Sequence, residues 1–517
     1  MHNLKIWNYI SLPWLVFSLT FFIIFFLLAF LVEVESSYLS RGYLNELFLN
    51  TVFLSFGSAI LSAIIAVPLA ILVTFYEFPG RKFFSWSLSL SIAFPAYVYA
   101  FIYVGIFEYA SPISEYLRNF NITLPQIKNI YGASVIMAMA LFPYIFLLTK
   151  AHLGSVGIKV FKAAKSLGDN NIRAIRKVII PSLWPTIIAG MALVVFETIA
   201  DFGGVSTLRV ETFTVGIYDA WFGYQSYFSA TRLAGYLLLF VFLIMFLAKF
   251  FGEKSSNLAS KTAETFLRIE TSPIVGLGVL FFCSFVFIIV FCLPTTQLII
   301  WNLSDSSSNI LSNLQLLINS SIVGLLASVI TVFFAIALAL SYKHSNILKY
   351  SILISSSGYA IPGSVISAGL LVGVDFIFDT SITFYGILGL LICLSLRFMT
   401  PAFNYVSASL SNISSSAEDA LTTQPKNSFK AFKLFYFPQM KPAIFLSLML
   451  VFIESIKEQP ATLLLRPIGF DTLSTKIYNF TSEGQWEMAA APSLFLVGMS
   501  LFFVFLINKN IDLNQNK

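Results

Sequence analysis

Apolar runs punctuated by short polar segments organise the whole chain. They lie near 11–32, 50–76, 83–107, 131–149, 184–206 and 231–251, and again near 274–294, 315–341, 350–374, 384–401, 441–464 and 489–507. A helix needs ~20 apolar residues to cross a bilayer. The pattern therefore predicts an all-α integral membrane protein with about twelve transmembrane helices, six plus six. The polar segment 252–272, which carries Glu253, Lys254, Lys261, Glu264, Arg268 and Glu270, is the natural join. It divides the chain into a first transmembrane domain, 1–251, and a second, 273–517. At the N-terminus, Lys5 precedes an uncharged stretch reaching Glu33. That stretch is too long for a signal-peptide core and lacks a small-residue cleavage site, so it predicts a retained first span.

The two sets of runs repeat one another. Pro181, Pro185, Ile187, Glu197 and Asp201 align without a gap to Pro438, Pro442, Ile444, Glu454 and Glu458. A looser register links Asn50 to Asn319 and Ala66 to Ala335. Pro95 and Pro362 fall at nearly equivalent places, which predicts shared kinks, while neighbours satisfy the backbone groups that prolines free inside spans. Two embedded halves built alike point to a pathway between them.

Composition agrees with this reading and narrows the function. Hydrophobic residues make up 57% of the chain and charged residues 11%, against about 25% charged in soluble domains. Mean hydropathy is +0.84. With the N-terminus inside, the inner segments hold 22 lysines and arginines and the outer segments 7. That bias predicts both termini on the cytoplasmic face. The three cysteines, Cys283, Cys292 and Cys393, lie in apolar runs without ligand spacing and read as small hydrophobes. The histidines (His2, His152, His344) all lie outside the runs. With no credible nucleophile, metal cluster or cofactor motif, the chain does not read as an enzyme. The 55 phenylalanines read as lipid-facing and interhelix packing. Tyr218, Trp221, Tyr224 and Tyr227 read as anchors at the outer interface.

Charges inside spans are the exception to this pattern. Glu197 and Asp201 stand four residues apart and share a helix face, as do Glu454 and Glu458. Charged groups at membrane depth cost roughly 2.5–3.5 kcal/mol on insertion scales and usually face a cavity or a partner. One reading has these four acids line a path that favours a hard cation. The others pair them with Lys457 or Arg397, or place them at the membrane boundary as helix caps. A conduit must release what it admits, so tight chelation is not expected.

The polar stretch 150–183 is patterned rather than slack. Phe161 to Leu167 predicts a short helix ended by Gly168 in the left-handed conformation. Asp169 or Asn170 would cap a second helix through Ile172, Ile175, Val178 and Ile179. Two short helices at an angle make either a plain interfacial hairpin or a knob that another protein can grip.

Here the residues resemble a known family. An acidic residue followed by Ala-Ala, three residues, Gly, and Pro about a dozen residues later is similar to the coupling loop of ABC importer permeases. The first half keeps Ala163, Ala164, Gly168 and Pro181, with Lys162 in place of the acid. The second half keeps Asp419, Ala420 and Pro438, with Leu421 and Pro425 replacing the second Ala and the Gly. The coupling loops would be about 150–183 and 402–440. Glu197-Thr-Ile-Ala-Asp-Phe-Gly203, Thr212 to Tyr218 with Trp221-Phe222, and Lys457 to Pro467 with Gly469 to Leu473 resemble the fused permeases of ferric-iron importers. The resemblance covers nearly the whole chain. It implies two homologous six-helix importer domains in a bacterial cytoplasmic (inner) membrane. The implied partners are two cytoplasmic ATPase subunits and an extracytoplasmic ferric-ion-binding protein, with no nucleic acid. The chain has no phosphate-cradling Gly-Lys-Thr/Ser loop, so no cofactor is expected on it and ATP falls to the partner. The alternatives left open are a fused permease for thiamine or another small cation, and an ion-coupled secondary transporter.

Overall fold

Each predicted run becomes a helix or a bent helical pair, because a backbone in lipid must satisfy its own hydrogen bonds. The computed structural model describes residues 6–31, 39–154, 158–168, 170–252, 268–305, 310–345, 347–378, 386–414 and 428–515. Among them, nine helices are long and apolar enough to cross a membrane, and three further bent pairs bring the number to twelve if each is one span. The straight spans include Ile6–Leu31, Arg41–Phe75, Ile130–His152 and Pro273–Ser304. The bent pairs are Arg81–Ala93 with Ala96–Arg118 (91°), Lys349–Ala360 with Gly363–Phe376 (115°) and Ile387–Arg397 with Met399–Ser411 (51°).

The prolines sort into two kinds. Pro68 and Pro143 sit inside continuous helices. Pro95 and Pro362 each follow a one-turn 3-10 stretch, Leu90–Ala93 and Gly358–Ala360, and mark the two sharpest breaks. The expected kinks are thus full changes of direction at matching places. The bend after Arg397 had no signal in the sequence.

The repeat is written into the backbone. A π-helical turn, Ile175–Ile179, leads into the helix Ile180–Ala200, and its counterpart Phe432–Tyr436 leads into Phe437–Lys457. In each, the N–H before the proline reaches back five residues, to Ile175 O or Phe432 O. This wider turn relieves the clash between the ring of Pro181 or Pro438 and the carbonyl four residues earlier. The asparagine register is equally concrete. Asn50 Nδ2 donates to Glu211 O at 2.9 Å, and Asn319 Nδ2 donates to Asp471 O at 2.8 Å. Beside them, Phe213 N–H donates to Thr51 Oγ1 and Leu473 N–H to Ser320 Oγ. In both halves a long helix pins the loop that follows the acid-bearing helix.

The halves interlock rather than merely abut. Helix Ala96–Phe107 of the first half packs on Leu293–Ser304 and Trp486–Gln515 of the second. Reciprocally, Gly363–Phe378 packs on Ile6–Leu31 and Tyr227–Gly252. The first helix is tied to the second half by Ser11–Ser341 (3.0 Å) and Ser18–Ser355 (2.7 Å), with Trp14 stacked on Phe334 at 4.7 Å. Hydroxyl pairs are effective glue where lipid offers no competing water. Pro273–Ser304 is the least enclosed span, with 17% of its apolar window buried, so most of its surface faces lipid. The one strand pairing among the described residues joins Tyr76–Glu77 to Ile269–Glu270 in parallel, tying the end of the 252–272 join to the first half. Residues 253–267 of that join lie outside the described residues.

Candidate functional site

Both acid-bearing helices stop at the same kind of residue. Ile180–Ala200 ends at Asp201, whose backbone turns extended and whose carboxylate accepts the N–H of Val205 (3.0 Å) in the short helix Gly203–Thr207. Phe437–Lys457 ends at Glu458, extended in the same way, whose Oε1 accepts the N–H of Ala461 (3.4 Å) in Pro460–Leu465. Each acid therefore caps exposed N–H groups at a helix start, where negative charge is favoured. The backbone carbonyls match as well: Thr214 Oγ1 donates to Asp201 O at 2.8 Å and Ser474 Oγ to Glu458 O at 3.0 Å.

Glu197, Asp201, Glu454 and Glu458 all line one cavity of about 90 Å³ between the halves, together with Arg397 and Lys457. Helix capping and ion pairing, which sequence reasoning set against one another, are found there together. Asp201 and Glu458 cap helices, and Glu458 is also ion-paired with Arg397 at 3.1 Å, both side chains being about 5–6% exposed. Gly363 is what lets that pair sit beside the break after Pro362, since a Cβ there would fall on Glu458 Oε1. Lys457 instead reaches across to Ile92 O at 2.9 Å. Tyr359 donates its hydroxyl to Glu197, and Tyr97 donates to Lys457 O at 3.3 Å. Tyr97 and Tyr144 line the same cavity. Sequence reasoning missed these tyrosines, because among 22 of them the one local signal was the closeness of Tyr97 and Tyr359 to the two breaking prolines.

No group of three or more His, Cys, Asp or Glu side chains among the described residues is close enough to hold a metal ion. The cavity offers oxygen atoms and charge without a chelating cluster. Cys283 and Cys393 are buried in helices.

The predicted knob is present in part. Helix Ile158–Ser166 buries Ile158, Phe161 and Ala164, with Phe161 against Phe75 at 5.0 Å between ring centroids. Its other face exposes Lys162, Ala163 and Lys165. Leu167 stands 88% exposed at the tip, and Gly168 follows with φ +92°, the left-handed turn that a Cβ would strain. Asn170 is the cap, its Oδ1 accepting the N–H of Arg173 at 2.8 Å. The second short helix is not a separate element, since Asn171–Ala174 runs through the π turn into the next span. Pro181 and Pro438 are exposed in the first turns of their helices. Asp419, Ala420 and Pro425 lie outside the described residues.

The outer aromatics divide differently from expectation. Trp221 is buried, 4.6 Å from Tyr227 between ring centroids. Tyr218 packs against Phe202 (4.4 Å) and, across the halves, Tyr478 (5.7 Å). These two serve packing, Trp221 buried and Tyr218 half-buried among the interlocked loops; Tyr224 and Tyr227 remain exposed.

Comparison with known proteins places this architecture. Residues 66–257 match the family model described as binding-protein-dependent transport system inner membrane component. The chain is 27% identical over 481 residues, 91% of each chain, to the Fe(3+)-transport system permease protein FbpB 2 of Haemophilus influenzae. It is 28% identical over 155 residues to the sulfate transport system permease protein CysT of Salmonella typhimurium, covering 30% of this chain and 55% of that one. A 32% identity over 123 residues links it to the ferric transport system permease protein FbpB of Actinobacillus pleuropneumoniae, over 24% of this chain and 18% of that one. With its many candidate membrane-spanning helices, the chain is therefore similar over residues 66–257 to the inner membrane components of binding-protein-dependent transport systems, and over most of its length to a transport permease.

Proposed function

We infer that this permease passes ferric iron, delivered by a ferric-ion-binding protein on the outer face. The observation that carries the reading is the lining of the cavity between the halves: four carboxylates against two cations, with phenol oxygens beside them. Such a surface attracts a hard cation and repels an anion such as sulfate. The similarity points the same way, since the ferric permease matches along 91% of this chain and the sulfate permease along 30%. A cavity of about 90 Å³ suits an ion better than thiamine, because pockets for small organic molecules run to roughly 300–1,000 Å³.

In this reading both termini and both coupling loops face the cytoplasm, and 1–251 and 273–517 act as the two moving domains. ATP binding to two partner subunits draws the loops together, the first gripped at Lys162, Ala163, Ala164, Gly168 and Pro181, the second at Asp419, Ala420, Pro425 and Pro438. The cavity then changes the side to which it opens, and hydrolysis resets it. The four acids attract the ion during passage and let it go, since no chelating cluster traps it.

The test is uptake of labelled Fe³⁺ and labelled sulfate into vesicles containing the chain with its ATPase and binding protein. Fe³⁺ should enter only while ATP is consumed, and Glu197→Gln with Glu454→Gln should slow entry while leaving the complex assembled. Sulfate uptake, or iron uptake indifferent to ATP or to the double substitution, would overturn the reading.

A further inference from the structure

Two hydrogen bonds across the cavity join corresponding elements of the repeat, an acid-bearing helix and the broken span of the opposite half. In the first half, Phe94 N–H donates to Ser91 O at 3.0 Å, closing the 3-10 turn before Pro95. The next acceptor of that ladder is Ile92 O, and its donor would be the N–H of residue 95, which proline lacks. Lys457 Nζ, from the opposite half, fills the vacancy at 2.9 Å. In the second half, Ile361 N–H donates to Gly358 O at 3.0 Å before Pro362. The register that pairs Pro95 with Pro362 pairs Ile92 with Tyr359, and the Tyr359 hydroxyl donates to Glu197. Each acid-bearing helix is thus tied to the broken span of the opposite half.

The two ties join corresponding elements but differ in position on the acid helix and in chemistry. Where the second half has Lys457, the first has Ala200; where the second has Tyr359, the first has Ile92. One tie is an ammonium on a carbonyl and the other a phenol on a carboxylate, and Lys457 and Glu197 both line the acid cavity.

We propose that these two bonds form a latch between the halves that the transported cation itself releases. An ion entering the cavity competes with the Tyr359 hydroxyl for Glu197 and repels the Lys457 ammonium from Ile92 O. Both effects loosen the same contact between acid helix and broken span. An anion would compete with Ile92 O for the Lys457 ammonium but leave Glu197 to Tyr359, so one of the two bonds would hold. The halves then separate only when cargo is present, so ATP is not consumed on an empty cavity. The latch rests on the cation-import reading above and adds to it the means by which the empty site restrains the motor.

The test uses the full chain with its ATPase subunits and binding protein in lipid nanodiscs, and ferric ion supplied to the binding protein as a labile nitrilotriacetate complex. ATP hydrolysis is read with and without iron, and iron uptake is read separately in vesicles with the same binding protein present. In the unaltered protein, iron should raise hydrolysis. Tyr359→Phe and Lys457→Met should each hydrolyse ATP without iron, faster than the unaltered protein by on the order of tenfold, the effect of losing one charged hydrogen bond. Lys457→Arg, which keeps a donor, should restore iron dependence. Tyr359→Phe removes one oxygen atom and keeps the ring beside Phe398, so it tests the latch even where the Lys457→Met complex does not assemble. Variants with the iron-free rate of the unaltered protein, alongside iron-driven hydrolysis in that protein, would overturn the latch and leave the cation reading standing. An unaltered protein that takes up no iron would overturn the cation reading, and the latch with it.

Discussion

Replacing Arg397 with methionine strands Glu458 in the centre of the protein. At 3.1 Å the attraction between these charges is about 5 kcal/mol at an effective dielectric constant of about 20. Much of that offsets the cost of taking both ions out of water, so the pair adds little net stability. The asymmetry appears when one partner goes. Glu458 is 5% exposed, and an uncompensated buried carboxylate costs about 3–5 kcal/mol. The N–H of Ala461, at 3.4 Å, is too long a contact to replace the guanidinium. Arg397→Met should therefore destabilise the protein by about 3–5 kcal/mol. Adding Glu458→Gln removes the charge and keeps a side-chain oxygen for Ala461, and should return most of that loss. Reversible unfolding in mixed micelles, run on both single substitutions and the double, gives the coupling directly. A single Arg397→Met protein within about 1 kcal/mol of the unaltered one would refute the account, as would a double variant no more stable than the single.

Two further outcomes follow from the exposed parts of the molecule. Leu167→Asp alters a side chain that is 88% exposed, so stability should move by no more than about 0.5 kcal/mol. ATPase capture and ATP-driven uptake should nonetheless fall sharply, and retention of both would remove the helix tip from coupling. In the loop that follows the first acid-bearing helix, burial, then the charges of Asp219 and Glu46, hold the Glu211 carboxyl above its ordinary range, and burial does the same for Asp219. With both values raised, the folded state binds more protons than the unfolded one, so stability falls as pH rises from the ordinary carboxylate range through the raised values. Glu211→Gln with Asp219→Asn should raise the melting temperature above that window and make no difference below it, which a pH series of thermal unfolding checks.

What the sequence determined by itself is what depends on local composition and on the repeat. Run length specified the spans, because a bilayer demands ~20 apolar residues wherever it is crossed. Gly168, and a cap at Asp169 or Asn170, were legible from the sequence, because left-handed backbone and helix caps are local demands. The ungapped match of Glu197 and Asp201 to Glu454 and Glu458 announced a shared inner face, while Asn50 with Asn319 gave only a looser register, whose bracing of a loop the structure revealed. Tertiary structure decided which group meets which acid. Arg397 and Glu458 come from different helices, and Lys457, Ile92, Tyr359 and Glu197 meet only because broken spans of one half lie against the acid helices of the other. The repeat register is blind to this, since neither Ala200 nor Ile92 suggests the charge or hydroxyl that its counterpart supplies. Hydrophobic pattern is a property of each segment alone, whereas the neutralisation of a buried charge depends on every segment packed around it.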